Sequence, residues 1–275
     1  MIILLRNIIF ISVLIFSGSL LFAQKLATPL EPQAPPKQTE VGIVFGLGNN
    51  FQSGIYQPEC ETCKFDDAQG LGITVGAIYI KDFVPEFQWG SLLTFSTLNS
   101  ETSYQKTELN KIRTNPPFSY EERPVPYRNK AEFKISEISL NPFLQWQPLD
   151  FMFFRLGIGT TIISQNNFIQ TKELLKFRDT LSTGEIVDLK FDSTHTKMIT
   201  LEDNNIKGTN IIQFSLEPML GFNFEISNQI YFLPYFSYSI PLTSFSSEQT
   251  NLNFSKWRIM LELRLALQLR NIKIN

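Results

Sequence analysis

The alternation from Trp257 to Leu269 limits what this chain can fold into more than any other feature of its sequence. Every odd position is apolar: Trp257, Ile259, Leu261, Leu263, Leu265, Leu267 and Leu269. The even positions carry Arg258, Met260, Glu262, Arg264, Ala266, Gln268 and Arg270. A helix would spread those charges around its whole cylinder, whereas a strand sends them all to one face. The segment is therefore expected to be a strand, about twice the roughly five or six residues usual in globular proteins.

Seven other segments keep the same period: residues 41–48, 71–79, 87–95, 133–147, 152–162, 212–226 and 230–240. The fourth changes phase near Glu137, which predicts a β-bulge there. Short connections at 81–85, 148–150 and 227–229 alternate strictly with long polar ones at 52–69, 98–130, 164–209 and 243–253. Outer-membrane barrels put short turns at the periplasmic end and long loops outside. A soluble sandwich has no reason to sort its loops by parity. The expected fold is all-β, an eight-stranded antiparallel up-and-down transmembrane β-barrel with both ends of the strand run on the short-turn side.

The cost of charge in lipid orients the faces. An Arg facing the bilayer midplane costs roughly 2–4 kcal/mol, so Arg155, Arg258 and Arg264 are expected in the lumen together with Glu217, Glu225 and Glu262. The same face supplies Gly42, Gly46, Gly72, Gly76, Gly90, Gly157, Gly159 and Gly221. An eight-stranded barrel has room only for its own side chains. Small residues beside a few large charged ones predict a narrow interior plugged by ion pairs, since an unpaired buried charge is strongly destabilising. The competing arrangement is a secreted lipocalin-like barrel that turns its apolar face inward around an apolar ligand. Trp89, Trp146, Trp257, Tyr79, Phe151 and Tyr231 lie close to the expected strand ends, where amphipathic rings favour a membrane interface.

Residues 1–23 read as a secretory signal peptide: Arg6 gives the positive charge, residues 8–16 the apolar run, and Ala23 the small residue before the cut. Residues 24–40 contain Pro29, Pro32, Pro35 and Pro36 and are expected to form a periplasmic tether. The barrel is expected to occupy 41–275. A net charge of −2 offers no electrostatic footprint for nucleic acid. One histidine among 275 residues leaves little for metal or general-base chemistry.

Several stretches resemble the outer-membrane β-barrel domain of PorT-like proteins. They are the signal ending Phe22-Ala23-Gln24, the opening Val41-Gly42-Ile43-Val44-Phe45-Gly46, the strand start Glu137-Ile138-Ser139-Leu140, and Arg155-Leu156-Gly157-Ile158-Gly159. The resemblance covers roughly residues 41–275 and carries no catalytic motif. It implies an outer-membrane location and, for a few family members, a link to protein secretion and gliding machinery. One departure is the ending Asn271-Ile272-Lys273-Ile274-Asn275, where many outer-membrane barrels end in an aromatic residue.

Three features invite chemistry. Cys60 and Cys63 share the first long connection, and in an oxidising compartment they most simply form a local disulfide. A zinc site would need about four ligands. His195 follows Asp192-Ser193-Thr194, from which a lipid-hydrolase triad can be composed on paper, but such roles are set by geometry and not by sequence neighbours. Residues 172–199 keep partial alternation around the turn Ser182-Thr183-Gly184, which predicts a hairpin above the membrane or two extra strands. The expectation is a non-enzymatic scaffold or adaptor with no cofactor, binding through its long loops. Its partners would be outer-membrane lipid and other envelope proteins.

Overall fold

The computed structural model describes residues 39–58, 63–84, 86–113, 120–191, 195–227 and 229–267. The expected signal peptide, nearly all of the expected tether, Cys60, the segment 192–194 and the residues after Leu267 lie outside them. The strands are β1 (Thr39–Ile55), β2 (Gln69–Val84), β3 (Phe87–Thr97), β4 (Ser100–Arg113), β5 (Tyr120–Leu149), β6 (Met152–Leu174), β7 (Arg178–Thr180), β8 (Ile186–Asp188), β9 (Met198–Asn205), β10 (Ile212–Phe222), β11 (Phe224–Ser227), β12 (Ile230–Pro241) and β13 (Thr250–Leu267).

Eight of them form a ring. β1 pairs with β2, β2 with β3, β3 with β5, β5 with β6, β6 with β10, β10 with β12, β12 with β13, and β13 returns to β1, every pair antiparallel. β11 continues the β10 wall toward the short turns, pairing with β12. β4 and β9 prolong the wall at the opposite end, pairing with the upper parts of β5 and β6. This is the expected eight-stranded up-and-down barrel.

Side-chain polarity is inverted in the lower part of the ring, as the charge argument requires. Leu261, Leu263 and Leu265 point outward and are each 44 % exposed, while Glu262 between them is fully buried. More than thirty large apolar side chains, among them Ile43, Phe45, Ile73, Leu93, Leu140, Leu156 and Phe236, are exposed around the circumference. A soluble monomer rarely exposes an apolar patch larger than roughly 300–600 Å², so a continuous belt of this kind belongs in lipid. Its height fits too. From Trp257 to Leu267, β13 advances roughly ten residues, or about 33 Å of strand and about 25 Å along an axis tilted near 40°. Aromatic rings cluster at the rims: Trp89 lies against Tyr79 at 5.8 Å, and Trp257 stacks on Phe236 at 6.1 Å.

The phase change near Glu137 has a different cause from the one expected. Along β5 the odd positions face inward without interruption, from Val125 through Phe133, Ile135, Glu137 and Ser139 to Gln145. A bulge does exist at this level, but the extra residue is Ser164 on β6. What changes on β5 is the surroundings. Below Glu137 the outer face meets the apolar belt, so apolar residues point out. Above it the outer face carries Lys134, Glu132 and Arg128, and apolar residues point in.

The interior is layered accordingly. Near the short turns, Val44, Ile78, Phe143, Phe153, Leu233, Tyr235 and Met260 pack together. At the other end a larger cluster joins Tyr56, Cys63, Phe65, Phe133, Phe168, Phe245 and Leu252. Polar layers lie among and between them.

Candidate functional site

The lower polar layer is centred on Glu262. Arg155 donates to both of its carboxylate oxygens, Nη1 to Oε2 at 2.8 Å and Nη2 to Oε1 at 3.1 Å. Arg264 donates to the same carboxylate through Nε, and to Glu40 through Nη1 at 3.0 Å. Gln145 accepts from both arginines, at 2.7 Å from Arg155 and 3.3 Å from Arg264. The Arg155 guanidinium also lies 4.4 Å from the centre of the Phe153 ring and 4.9 Å from that of Phe143. Two arginines and two carboxylates thus neutralise one another inside an apolar sleeve, which is what makes burial of an ion pair tolerable.

The upper polar layer uses different devices. Among the described residues Arg258 bonds no carboxylate. All five of its N–H donors are used, on Thr74 Oγ1 (3.2 Å), Asn50 Oδ1 (2.6 Å) and the carbonyls of Asn49 (3.0 Å), Trp257 (2.9 Å) and Thr97 (3.1 Å). Lys256 is paired with Glu137. Glu217 accepts from Asn141 and, at 3.1 Å, from Ser215. Two cations and two anions again balance.

The inner-face glycines make this packing possible. A Cβ on Gly157 would sit 1.9 Å from Asn141 Oδ1, and one on Gly72 would sit 2.3 Å from Arg258 Nη2. Neither position can carry a side chain while those polar groups stay in place.

Of the six expected network residues, Arg155, Glu217, Arg258, Glu262 and Arg264 are buried in the lumen. Glu225 is not. It lies on β11, beyond the break at Asn223, where every residue of the strand is exposed. The alternation of 212–226 continues in sequence past the end of the β10 wall, so parity alone placed Glu225 inside. Three members were missed. Glu40 falls within the expected tether because prolines precede it, yet it has the same parity as Gly42 and Val44. Lys256 extends the inner row of β13 by one step beyond Arg258. Glu137 sat where the sequence pattern reverses.

Above these layers Tyr56 and Phe65, from the two described ends of the first long connection, fill the barrel mouth. Tyr56 and Phe65 exchange backbone hydrogen bonds at 2.9 and 3.0 Å, and both rings are buried against Phe168. Cys63 is disulfide-bonded, and Gln170 Nε2 lies 3.6 Å from its sulfur. Among the described residues no group of three His, Cys, Asp or Glu is arranged to hold a metal ion. His195 is exposed at the outer end, in a left-handed backbone conformation with φ of 54°.

The connections 98–130 and 164–209 are largely strand rather than loop. β4, upper β5, upper β6 and β9 form a four-stranded antiparallel sheet, here called the crown. The expected hairpin is present as β7–β8. Its Leu189, with Val187 and Phe191 beside it, packs on Val125, Tyr127 and Leu174 of the crown. At its tip Ser182 donates N–H and O–H to Glu121, both at 3.0 Å, and these bonds hold the Glu121 carboxyl below its usual range, aided by Arg123. At its base the bond from Lys176 and the Thr180 N–H do the same for Asp179. Tyr127 is pushed up by burial and by Glu108. Lys172 spans Glu108, at 2.6 Å, and the face of the Tyr127 ring, at 4.1 Å.

No family model matches this chain, and no curated protein matches it. Among solved structures 29 chains match. The attachment invasion locus protein Ail of Yersinia pestis is 10 % identical, covering 83 % of this chain and 99 % of its own, with a TM-score of 0.31. The outer membrane protein OprG from Pseudomonas aeruginosa is 11 % identical, covering 84 % and 96 %, with a TM-score of 0.41. The outer membrane protease OmpT from Escherichia coli is 9 % identical, covering 87 % and 100 %, with a TM-score of 0.32. At these identities and scores the likenesses say nothing of what this chain binds or does.

Proposed function

We propose that this protein is an outer-membrane β-barrel of PorT-like type that acts without catalysis, as a scaffold or adaptor in an envelope assembly. The apolar belt supports the membrane placement, and the short-turn end then faces the periplasm. The observation that carries the role is the filling of the lumen. Two charge-balanced layers and an apolar cluster toward each end occupy much of the interior, so the barrel wall anchors and the crown presents. A secretion-related assembly is the class that the sequence resemblance implies. The apolar-ligand carrier has no support from the interior, which is occupied by arginines, carboxylates and packed rings.

The test is cross-linking in the intact outer membrane from photoreactive residues placed at Gln105 and Thr107 on the crown's outer face, with positions 259 and 263 on the belt as controls. The reading predicts discrete high-mass adducts from crown positions and only lipid adducts from the belt. Adducts from neither site, or turnover of a lipid or peptide substrate that His195→Ala abolishes, would overturn it.

A further inference from the structure

The ring closes where its first and last strands meet, and that seam joins the residues farthest apart in the chain: Asn49 and Arg258 are 209 positions apart. Contacts across so long a loop are the costliest to close. The outer face of the seam does little to fix its register. Val41, Ile43, Phe45 and Leu47 on β1 meet Leu265, Leu263, Leu261 and Ile259 on β13. A one-residue slip would turn these side chains to the wrong face, but a slide of two residues sets apolar groups against apolar groups again. The inner row of β1, with Gly42, Gly46 and Gly48, is nearly smooth. The Arg155–Glu262 pair joins β13 to β6, so it does not report the height of β1. The Arg264–Glu40 pair survives a slide that brings residue 264 level with Glu40.

Arg258 is different. The pairing of β1 with β13 is continuous from Thr39↔Leu267 to Leu47↔Ile259 and resumes at Asn50↔Lys256, skipping Gly48, Asn49, Trp257 and Arg258. The carbonyls of Asn49 and Trp257, one from each strand, both accept from Arg258 Nη1, at 3.0 and 2.9 Å. The remaining donors of the guanidinium reach Asn50 on β1, Thr74 on β2 and Thr97 on β3, leaving none for β12. The receiving groups are themselves held. Asn50 Nδ2 donates to the Asn99 carbonyl at 2.8 Å, and Thr74 shares a hydrogen bond of 2.9 Å with Ser96. A Cβ on Gly48 would strike the Trp257 carbonyl, and one on Gly72 would strike the guanidinium. We infer that Arg258 is the latch of barrel closure: a side chain on the last strand that locks into a socket built by the first three and so selects the register of the closing seam. A slide of two residues moves it about 7 Å from that socket. Lys256 or Met260 then takes its place, and neither carries the planar fork of donors. The inference concerns the assembly of the wall and does not depend on what the crown contacts.

The test uses the full chain in detergent micelles, read first by amide hydrogen exchange. Alternate amides of β13 point to β1 and to β12, so one strand supplies both the reading and its control. Arg258→Lys keeps the charge and loses the fork. The β13 amides that face β1 are expected to exchange about tenfold faster, as for the loss of one charge-assisted hydrogen bond, while those that face β12 keep their rates. Unchanged rates, or equal acceleration on both sides, overturn the inference. The second variant, Lys256→Arg/Arg258→Met, moves the arginine by two residues. Cross-strand proton contacts in NMR spectra should place Gly46 beside Met260 in the parent, as in the structure, and beside position 258 in the double variant. A double variant that keeps the parent register overturns the inference. If it does not assemble, the exchange rates of Arg258→Lys decide.

Discussion

Glu262→Gln tests the lumen network where it is most concentrated. The substitution keeps shape and volume, removes one negative charge, and offers an amide donor where Arg155 and Arg264 both need an acceptor. Arg264 retains Glu40 at 3.0 Å, but Arg155 loses the carboxylate it bonds. The side chains of Arg155 and Glu262 are both 0 % exposed, so no solvent screening softens the loss. Breaking a buried pair from one side costs about 3–5 kcal/mol. The double variant Arg155→Met/Glu262→Gln removes the stranded charge and should return to within about 1–2 kcal/mol of the parent. Reversible urea unfolding in lipid vesicles, followed by heat-modifiable gel mobility, measures both. The expected order is parent, double variant, then Glu262→Gln. A double variant no more stable than Glu262→Gln would refute the claim that these two side chains act as a pair.

Three further outcomes follow from the geometry. Leu263→Arg should cost about 2–4 kcal/mol and reduce the assembled fraction, whereas Ser103→Arg, on the outer face of the crown, should stay within about 0.5 kcal/mol; equal effects would contradict the position of the belt. Gly157→Ala should cost about 1–3 kcal/mol because its Cβ meets Asn141, and Asn141→Ala in the same chain should recover part of that loss in the same unfolding assay. The hairpin contacts made by Glu121 and Asp179 depend on ionised carboxyls whose folded pKa values are depressed. Their contribution is present above the ordinary carboxylate range near 4 and lost as pH falls below it through the folded values. Amide exchange in β7–β8 should rise on acidification below that range while the barrel amides stay protected, and the same acid response in Glu121→Gln would count against the Ser182 contact.

The barrel was legible because its outer face supplies contrast. On β13 the outward apolar residues alternate with polar or small ones at every step but Met260, and period two stands out. The crown was not legible, for the converse reason. β4 reads Ser-Glu-Thr-Ser-Tyr-Gln-Lys-Thr-Glu-Leu-Asn-Lys-Ile-Arg, polar on both faces, because its outer face meets water and its inner face holds Tyr104, Lys106, Glu108 and Asn110. A strand without hydrophobic contrast looks like a loop. The reversal at Glu137 carried more information than a bulge would, since it marks the level at which β5 leaves the belt. The lumen charges were found by parity and lost by parity. The rule held along β6, β10 and β13, failed at Glu225 where the wall ends, and stopped one residue short of Glu40.

The account turns on which side chains face lipid. Nitroxide labels at positions 259, 261, 263 and 265 of the barrel in vesicles, read for collision with oxygen and with a water-soluble nickel chelate, measure this directly. The prediction is high oxygen and low nickel accessibility at all four, reversing to high nickel accessibility at 103, 105 and 107 on the same face of the wall. Nickel accessibility at the four belt positions would contradict it.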